Sequence, residues 1–372
     1  MISKNDVLQY KWLAREEGFI ALEHEIIFRD LCSGCGVCAA VCLEDVIEVD
    51  EFPKLTGKCT NCGYCLIQCP RSFFSWREVE SKLYGRYSEE ILGKCELVIG
   101  ARSRDKAIQG QDGGFVTALL KHCFEKKIID GAIVSCTVEE LPWKPLPKLI
   151  TSVKELQDTS GTRYSNSPSV ALLKEAKKRG LKRTALVGLP CQIEGLRKVQ
   201  FYPVEDVGLE SLVKFTVALF CKSNFLYEGL MKSLIEKKYK IDLNEIKKLD
   251  IKGKELIVTT GEKEVRMPLA EAHAHVREGC RVCHDFTSRL SDFSVGSIGS
   301  KDGYSTVFAR TKMAKNIIGN MKKELDTVSI GKEKPGLETI ELLQNIKSRD
   351  ARKNTRKTIK EVLPMPFKHM RF

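Results

Sequence analysis

Eight of the fifteen cysteines fall between positions 32 and 69, in two copies of one spacing. The first reads Cys32-x-x-Cys35-x-x-Cys38-x-x-x-Cys42 and the second Cys59-x-x-Cys62-x-x-Cys65-x-x-x-Cys69-Pro70. Three thiolates so closely spaced hold three irons of a cubane, and the fourth reaches across to a second cube. The spacing therefore assigns Cys32, Cys35, Cys38 and Cys69 to one [4Fe–4S] cluster, and Cys59, Cys62, Cys65 and Cys42 to another. Small residues within the loops (Ser33, Gly34, Gly36, Asn61, Gly63) let backbone amides turn toward the sulfurs of an anionic cluster. Leu43 stands where proline often follows the fourth cysteine, but that proline ligates nothing. Structural zinc is normally held by two separated C-x-x-C pairs, a poor match to an uninterrupted run of four.

A chain of 372 residues suggests two or three structural units. No apolar stretch approaches the ~20 residues that cross a bilayer. The N-terminus MISKNDVLQYKWLAREEGF lacks the apolar core of a signal peptide. The expected location is the cytoplasm, where dense regular cysteines bind metal more often than they form disulfides. A formal charge of +12 points to an acidic partner or ligand.

The elements that must position these groups follow from the hydrophobic pattern. Residues 1–82 form the unit resembling a bacterial ferredoxin. From about residue 95, apolar strand-like runs (ELVIGA, IIDGAIVS, RTALVG, FTVALFC) alternate with helix-like runs (FVTALLKHCFEKK, SVALLKEAKKRG, QIEGLRKVQ). That alternation predicts an α/β domain with its sheet covered on both faces, so the fold class is α+β overall. In QGQDGGFVTALL, Gly113 and Gly114 stand at a strand-to-helix junction, where backbone amides form either an anion site or merely a tight turn. There is no G-x-G-x-x-G and no Walker A sequence, so a nicotinamide-binding Rossmann domain is not supported. Cys191 and Cys221 end strand-like runs, and Cys280-Arg-Val-Cys283 is a further close pair. Strand ends converge on one rim, so these four thiols either share a third metal site or are separate buried thiols.

These segments together resemble the beta subunit family of coenzyme F420 hydrogenases and dehydrogenases. The matching stretches are QGQDGGFVTALL, IIDGAIV, SGTRYSNSP, LVGLPCQIEGLRK, FTVALFCKSNF and VREGCRVCHDFTSRLSDFSVGSIGSKDGYSTVFAR, in order over roughly 95–312. With paired clusters in front, the chain is similar to the F420-oxidising input subunit of the archaeal F420H2 dehydrogenase complex. The resemblance implies an FAD and a third [4Fe–4S] cluster in a domain over 95–330. It places the cluster on Cys191, Cys221, Cys280 and Cys283. It places FAD on Gln111, Asp112, Gly113, Gly114, Gly161, Thr162, Arg163, Tyr164 and Ser165, with Lys222 as a contact of flavin or F420. It implies hydride transfer from reduced F420 to FAD, then single electrons through the clusters to a partner subunit or ferredoxin. Cys95, Cys123 and Cys136 remain as core residues.

The alternatives are a subunit of a hydrogenase, formate dehydrogenase or heterodisulfide reductase assembly, or an adaptor without F420 chemistry. A zinc-stabilised nucleic-acid protein is a third class, but no nucleic-acid fold or motif is present. Residues 331–372 carry eleven Lys or Arg against five Asp or Glu. There Arg349, Arg352/Lys353, Arg356/Lys357 and Lys360 recur at helical spacing, Leu342, Leu343 and Ile346 are candidate anchors, and Pro364 and Pro366 end the helix. This basic tail reads as a solvated helix, as an arm for an acidic partner, or as a peripheral contact with the inner face of the membrane.

Overall fold

Two cysteine loops repeat one backbone at the N-terminal end of the molecule. The structure is a computed structural model. It describes residues 4–362 except Gln109, Thr162, Asp206, Glu262, Glu333 and Lys334, and not the side chains of 4–10, Asp158, Lys332 or 356–362. Gly36 and Gly63, both left-handed, open the one-turn helices Val37–Ala40 and Tyr64–Ile67. Gly34 and Asn61, also at positive φ, send their amides to Cys32 Sγ and Cys59 Sγ, each at 3.4 Å. A ribbon of β1 (Ile47–Val49) and β2 (Pro53–Leu55) joins the loops. Helix Lys4–Glu17 lies over the second loop, with Ala14 occupying the space a side chain at Gly63 would need.

The larger part is an eight-stranded mixed sheet. Its strands are β3 (Leu97–Ser103), β4 (Gly131–Val138), β5 (Leu141–Ile150), β6 (Thr184–Gly188) and β7 (Val213–Leu219), and, after the three-stranded excursion described next, β11 to β13. The excursion is an antiparallel sheet of β8 (Ile246–Lys252), β9 (Glu255–Thr260) and β10 (Lys263–Pro268), with its own apolar core around Leu230, Leu234, Leu256 and Val258. The main sheet resumes with β11 (Phe293–Gly296), β12 (Ser305–Ala309) and β13 (Leu325–Val328), in the order β13-β3-β12-β11-β7-β6-β4-β5. The four inner strands β11, β7, β6 and β4 are parallel. The flanks are antiparallel because short connections, such as the two residues between β4 and β5, cannot make a crossover.

Both faces are covered. Helices Phe115–Glu125 and Lys312–Asn320 bury Phe115, Leu119 and Ile317 on one side. On the other, helix Pro190–Phe201 and the cysteine module share one apolar cluster in which Val37 and Leu66 join Leu186, Ile193 and Leu196. Gly195 is required there, since a Cβ would collide with Val37 and reach within 3.6 Å of Cys35 Sγ. The segment between the two parts is tied down, with Tyr84 Oη donating to the carbonyls of Arg289 and Ser291 at 2.7 and 2.8 Å. The basic tail begins as helix Gly336–Val362. Ile340 is fully buried and Leu343 packs beside it, whereas Leu342 points to solvent. Pro364 and Pro366 lie outside the described residues.

Candidate redox site

Three groups of thiols lie in file through the molecule. Cys32, Cys35, Cys38 and Cys69 line one hollow of ≈ 360 Å³, walled by Leu22, Ile26, Val49 and Pro53. Cys42, Cys59, Cys62 and Cys65 line a second of ≈ 320 Å³, with Val46, Ile47 and Leu55. The fourth cysteine of each run, just beyond its one-turn helix, lines the hollow of the other run.

The third group comes from three separate elements. Cys191 stands in the first turn of helix Pro190–Phe201, Cys221 just beyond β7, and Cys280 and Cys283 around the short helix Glu278–Arg281. The Cys221 amide donates to the Phe286 carbonyl at 3.0 Å, which ties the end of β7 to the loop after Cys283. Burial pushes the Cys191 thiol well above the ordinary value, and its neighbours Cys280, Cys283, Cys35 and Cys221 push in the same direction. Cys221 is likewise raised to about 12 by burial. Cys35 therefore links the third group to the first. Cys38, raised by burial, feels Cys65 and so links the first to the second.

Buried thiols held this way stay protonated unless cations compensate them. The compensation is built in. Lys347, from the C-terminal helix, donates to the Cys221 carbonyl at 2.5 Å and the Asp285 carbonyl at 2.8 Å. Gln344, one turn earlier, binds the His284 carbonyl and the Phe286 amide. Lys198, fully buried, donates to the Cys69 carbonyl at 2.6 Å. Arg71 Nε and Arg277 Nε and Nη1 are buried without hydrogen-bond partners. Buried cations in excess of buried anions fit thiol groups that hold an anionic cluster. Among the described residues no three His, Cys, Asp or Glu side chains converge tightly enough for a single ion. The histidines near Cys280 do other work: His273 stacks on Phe225 and His284 packs edge-on against Trp76.

The loops expected to hold a flavin meet a neighbour that sequence reasoning missed. Burial raises the Asp112 carboxyl, with Asp250 of β8 and Asp302 adding to it. Tyr164 is raised to about 12 by burial, and it too faces Asp250 and Asp112. Asp112 of one loop and Tyr164 of the other thus lie within electrostatic reach of each other and of Asp250 on β8, which marks the space between them as the candidate flavin crevice. Gly114, left-handed and without a side-chain cap, leaves the first amides of helix Phe115–Glu125 free. Gly161 has open space around it at φ 95°. The Oγ atoms of Ser165 and Ser167 and Oδ1 of Asn224 are buried and unpartnered, as a cradle for a polar cofactor requires. A Cβ at Gly113 would strike Ala101 and Ser305 of the sheet, so this loop lies tight against β3 and β12. Arg163 Nη1 donates to the carbonyls of Ser135 and Gly161, both at 3.3 Å, bracing its own loop. Gln111 lies on the same loop as Asp112, and Lys222 sits 3.8 Å from Asp350 of the C-terminal helix. Thr162 lies outside the described residues. A backbone bond ties the second of these loops to the segment after Cys221: the Phe225 amide donates to the Tyr164 carbonyl at 2.9 Å.

Two stretches match the family described as coenzyme F420 hydrogenase/dehydrogenase, beta subunit: residues 98–174 its N-terminal part and residues 181–333 its C-terminal part. The chain belongs to this family. The family domains span the main sheet, the crevice loops and all four thiols of the third group. The beta subunit of the coenzyme F420 hydrogenase of Methanosarcina barkeri is 39% identical over 73% of this chain and 94% of its own. The F subunit of the F(420)H(2) dehydrogenase of Methanosarcina mazei is 29% identical over 91% of this chain and 95% of its own. A chain of the F420-reducing [NiFe] hydrogenase complex from Methanosarcina barkeri superposes with a TM-score of 0.69 at 36% identity, covering 73% of this chain and 94% of that one. Among family members, then, the relative from the dehydrogenase matches more of this chain than the one from the hydrogenase.

Proposed function

We propose that this chain is the electron-input subunit of an F420H2 dehydrogenase-type assembly, oxidising reduced coenzyme F420 and delivering its electrons singly to a partner subunit or ferredoxin. The observation that carries this reading is the file of thiol groups, with Cys35 within electrostatic reach of Cys191 and Cys38 within reach of Cys65. It leads from the crevice of Asp112 and Tyr164 to the half-buried Cys59 and Cys62 at the far end. In this reading residues 1–82 carry two [4Fe–4S] clusters, residues 95–330 carry FAD and the third, and the helix Gly336–Val362 closes the third. When bound, the flavin supplies the exchange between hydride and single electrons, and the clusters carry the electrons.

The chain's own residues do the rest. The free amides after Gly114 and the hydroxyls of Ser165 and Ser167 hold and orient the flavin. The apolar walls Leu22, Ile26 and Val49 keep water from the first thiol group. Lys347 and Gln344 fix the loops of the third. Among the described residues no helix is long and apolar enough to cross a membrane, so attachment to a membrane complex would be through a partner.

The test is anaerobic purification followed by metal and flavin analysis. The expected protein holds about twelve irons, four per cubane, with one FAD, and reduced F420 bleaches its visible absorbance. Full iron without flavin would leave only an electron-transfer adaptor. Zinc in place of iron would sink the reading altogether. The net charge of +12 adds a kinetic expectation, because F420 carries a phosphate and a tail of glutamates. Raising ionic strength from about 0.05 to about 0.5 M should raise the apparent KM for reduced F420 several-fold and leave kcat within a factor of about two.

A further inference from the structure

Arg71 follows Cys69 and Pro70, and its guanidinium is buried where two thiol groups meet. Its side chain is 10% exposed. Cys32 and Cys69 lie on one flank and Cys191 and Cys283 on the other, each within electrostatic reach of the guanidinium. A guanidinium offers five donors in a rigid fork. Here the protein oxygens use them sparingly. Nη2 reaches the Gly279 carbonyl at 3.5 Å, Nη1 stands 3.7 Å from Glu194 Oε2, and Nε has no partner. Glu194 is itself buried with Oε1 unpartnered, so the pair is neither close nor complete. Gly279 brings the two groups together at this point, since a Cβ on it would meet the Cys32 carbonyl.

The other buried lysines each serve one group, Lys347 the third and Lys198 the first. The second group has a different arrangement. Lys174 donates to the Cys42 carbonyl but is also bound to Asp45, so its charge is already balanced. Among the described residues Arg71 and Arg277 face both groups at once, Arg277 through Cys32 and Cys280.

We propose that Arg71 is a counter-charge shared by the redox centres at Cys32/Cys35/Cys38/Cys69 and Cys191/Cys221/Cys280/Cys283, holding both at higher potential than they would otherwise have and leaving the centre at Cys42/Cys59/Cys62/Cys65 unaffected. The proposal rests on the reading that the thiol groups hold [4Fe–4S] clusters. One electron leaving the Cys191 centre, which is oxidised, and arriving at the Cys32 centre, which is reduced, moves one negative charge from one flank of the guanidinium to the other. No proton accompanies it, because a guanidinium stays charged throughout. The same cation therefore stabilises the electron before and after the step, which flattens the passage between the two centres.

The test is a redox titration of the full-length protein, followed by electron paramagnetic resonance with iron counted in each sample. In Arg71→Gln, two of the three one-electron transitions should move to lower potential. Each reduction equilibrium should fall at least about tenfold, about 59 mV for one electron, and the third should stay in place. In Glu194→Gln, where the competing carboxylate is gone, the same two should move the opposite way. Full iron in Arg71→Gln with no transition moved, only one moved, or all three moved alike overturns the proposal. If Arg71→Gln fails to load iron, Glu194→Gln decides: an upward shift of two transitions supports the shared counter-charge, and any other pattern overturns it. Fewer than about twelve irons in the unaltered protein would sink the three-cluster reading and this proposal with it. Intact iron with unmoved potentials sinks this proposal alone.

Discussion

Cys191→Ser should hold about eight irons rather than about twelve, and transfer from reduced F420 to an acceptor should fall more than about 100-fold. Cys191 is the sole thiol of its group contributed by helix Pro190–Phe201, and it is buried at 9% exposure. A serine hydroxyl fits the space but resists deprotonation in a site where burial already raises the thiol well above its ordinary value. The first and second groups, lined by their own four thiols each, should keep their iron. Flavin bleaching by reduced F420 should persist, because the crevice of Asp112 and Tyr164 does not include Cys191. Loss of bleaching and transfer together would mean that the substitution had damaged the fold. Unchanged iron would remove Cys191 from the centre. Cys123→Ala, in the core beneath the sheet, is the control that should retain all the iron.

The sequence spoke most clearly where the chemistry is local. The eight N-terminal thiols can be grouped from spacing because each run fits within one loop and one helical turn, so distance along the chain stands for distance in space. Cys191, Cys221 and Cys280 lie far apart in sequence; the parallel neighbours β6 and β7 bring the first two to one rim, and the loop of Cys280 and Cys283 is tied there by the bond from the Cys221 amide to the Phe286 carbonyl. The buried cations were illegible for a related reason. Arg71 and Lys347 look like surface residues until the cysteine module and the C-terminal helix are docked, and burial is a property of that docking. β5 was hidden by Pro142, Pro145 and Pro147, which argue against a strand but are tolerated at the sheet edge it occupies. The β8–β10 sheet did leave a trace, since Gly253 and Gly261 mark its two turns at positive φ. At Gly113 the sequence shows only a strand-to-helix junction, and the close packing against Ala101 and Ser305 that also demands a glycine there is visible only in the fold.

Asp292→Ala should lower stability by about 3–5 kcal/mol, the usual cost of stranding one partner of a buried ion pair. Arg197 and Asp292 meet at 2.9 Å, with side chains 6% and 9% exposed. The pair lies within a closed set of hydrogen bonds: Thr216 donates to Asp292 from its amide and its hydroxyl, both at 2.9 Å, and Arg197 Nε donates to the Leu290 carbonyl at 2.8 Å. These bonds fasten helix Pro190–Phe201, which carries Cys191, to β7, which leads to Cys221. Removing the carboxylate leaves a buried guanidinium without its counter-charge and the Thr216 amide without its acceptor. Urea denaturation under anaerobic conditions measures the loss, and a change below about 1 kcal/mol would show that the pair contributes little. A double variant, Arg197→Met with Asp292→Leu, should recover much of the stability, because a buried pair is worth little more than apolar groups of its size. It should not recover the geometry of the third thiol group, since apolar contacts hold the helix against β7 without the directional bonds of the charged pair. Iron content in the double variant then separates stability from positioning: restored stability with about four irons missing would assign the pair to holding Cys191 in place.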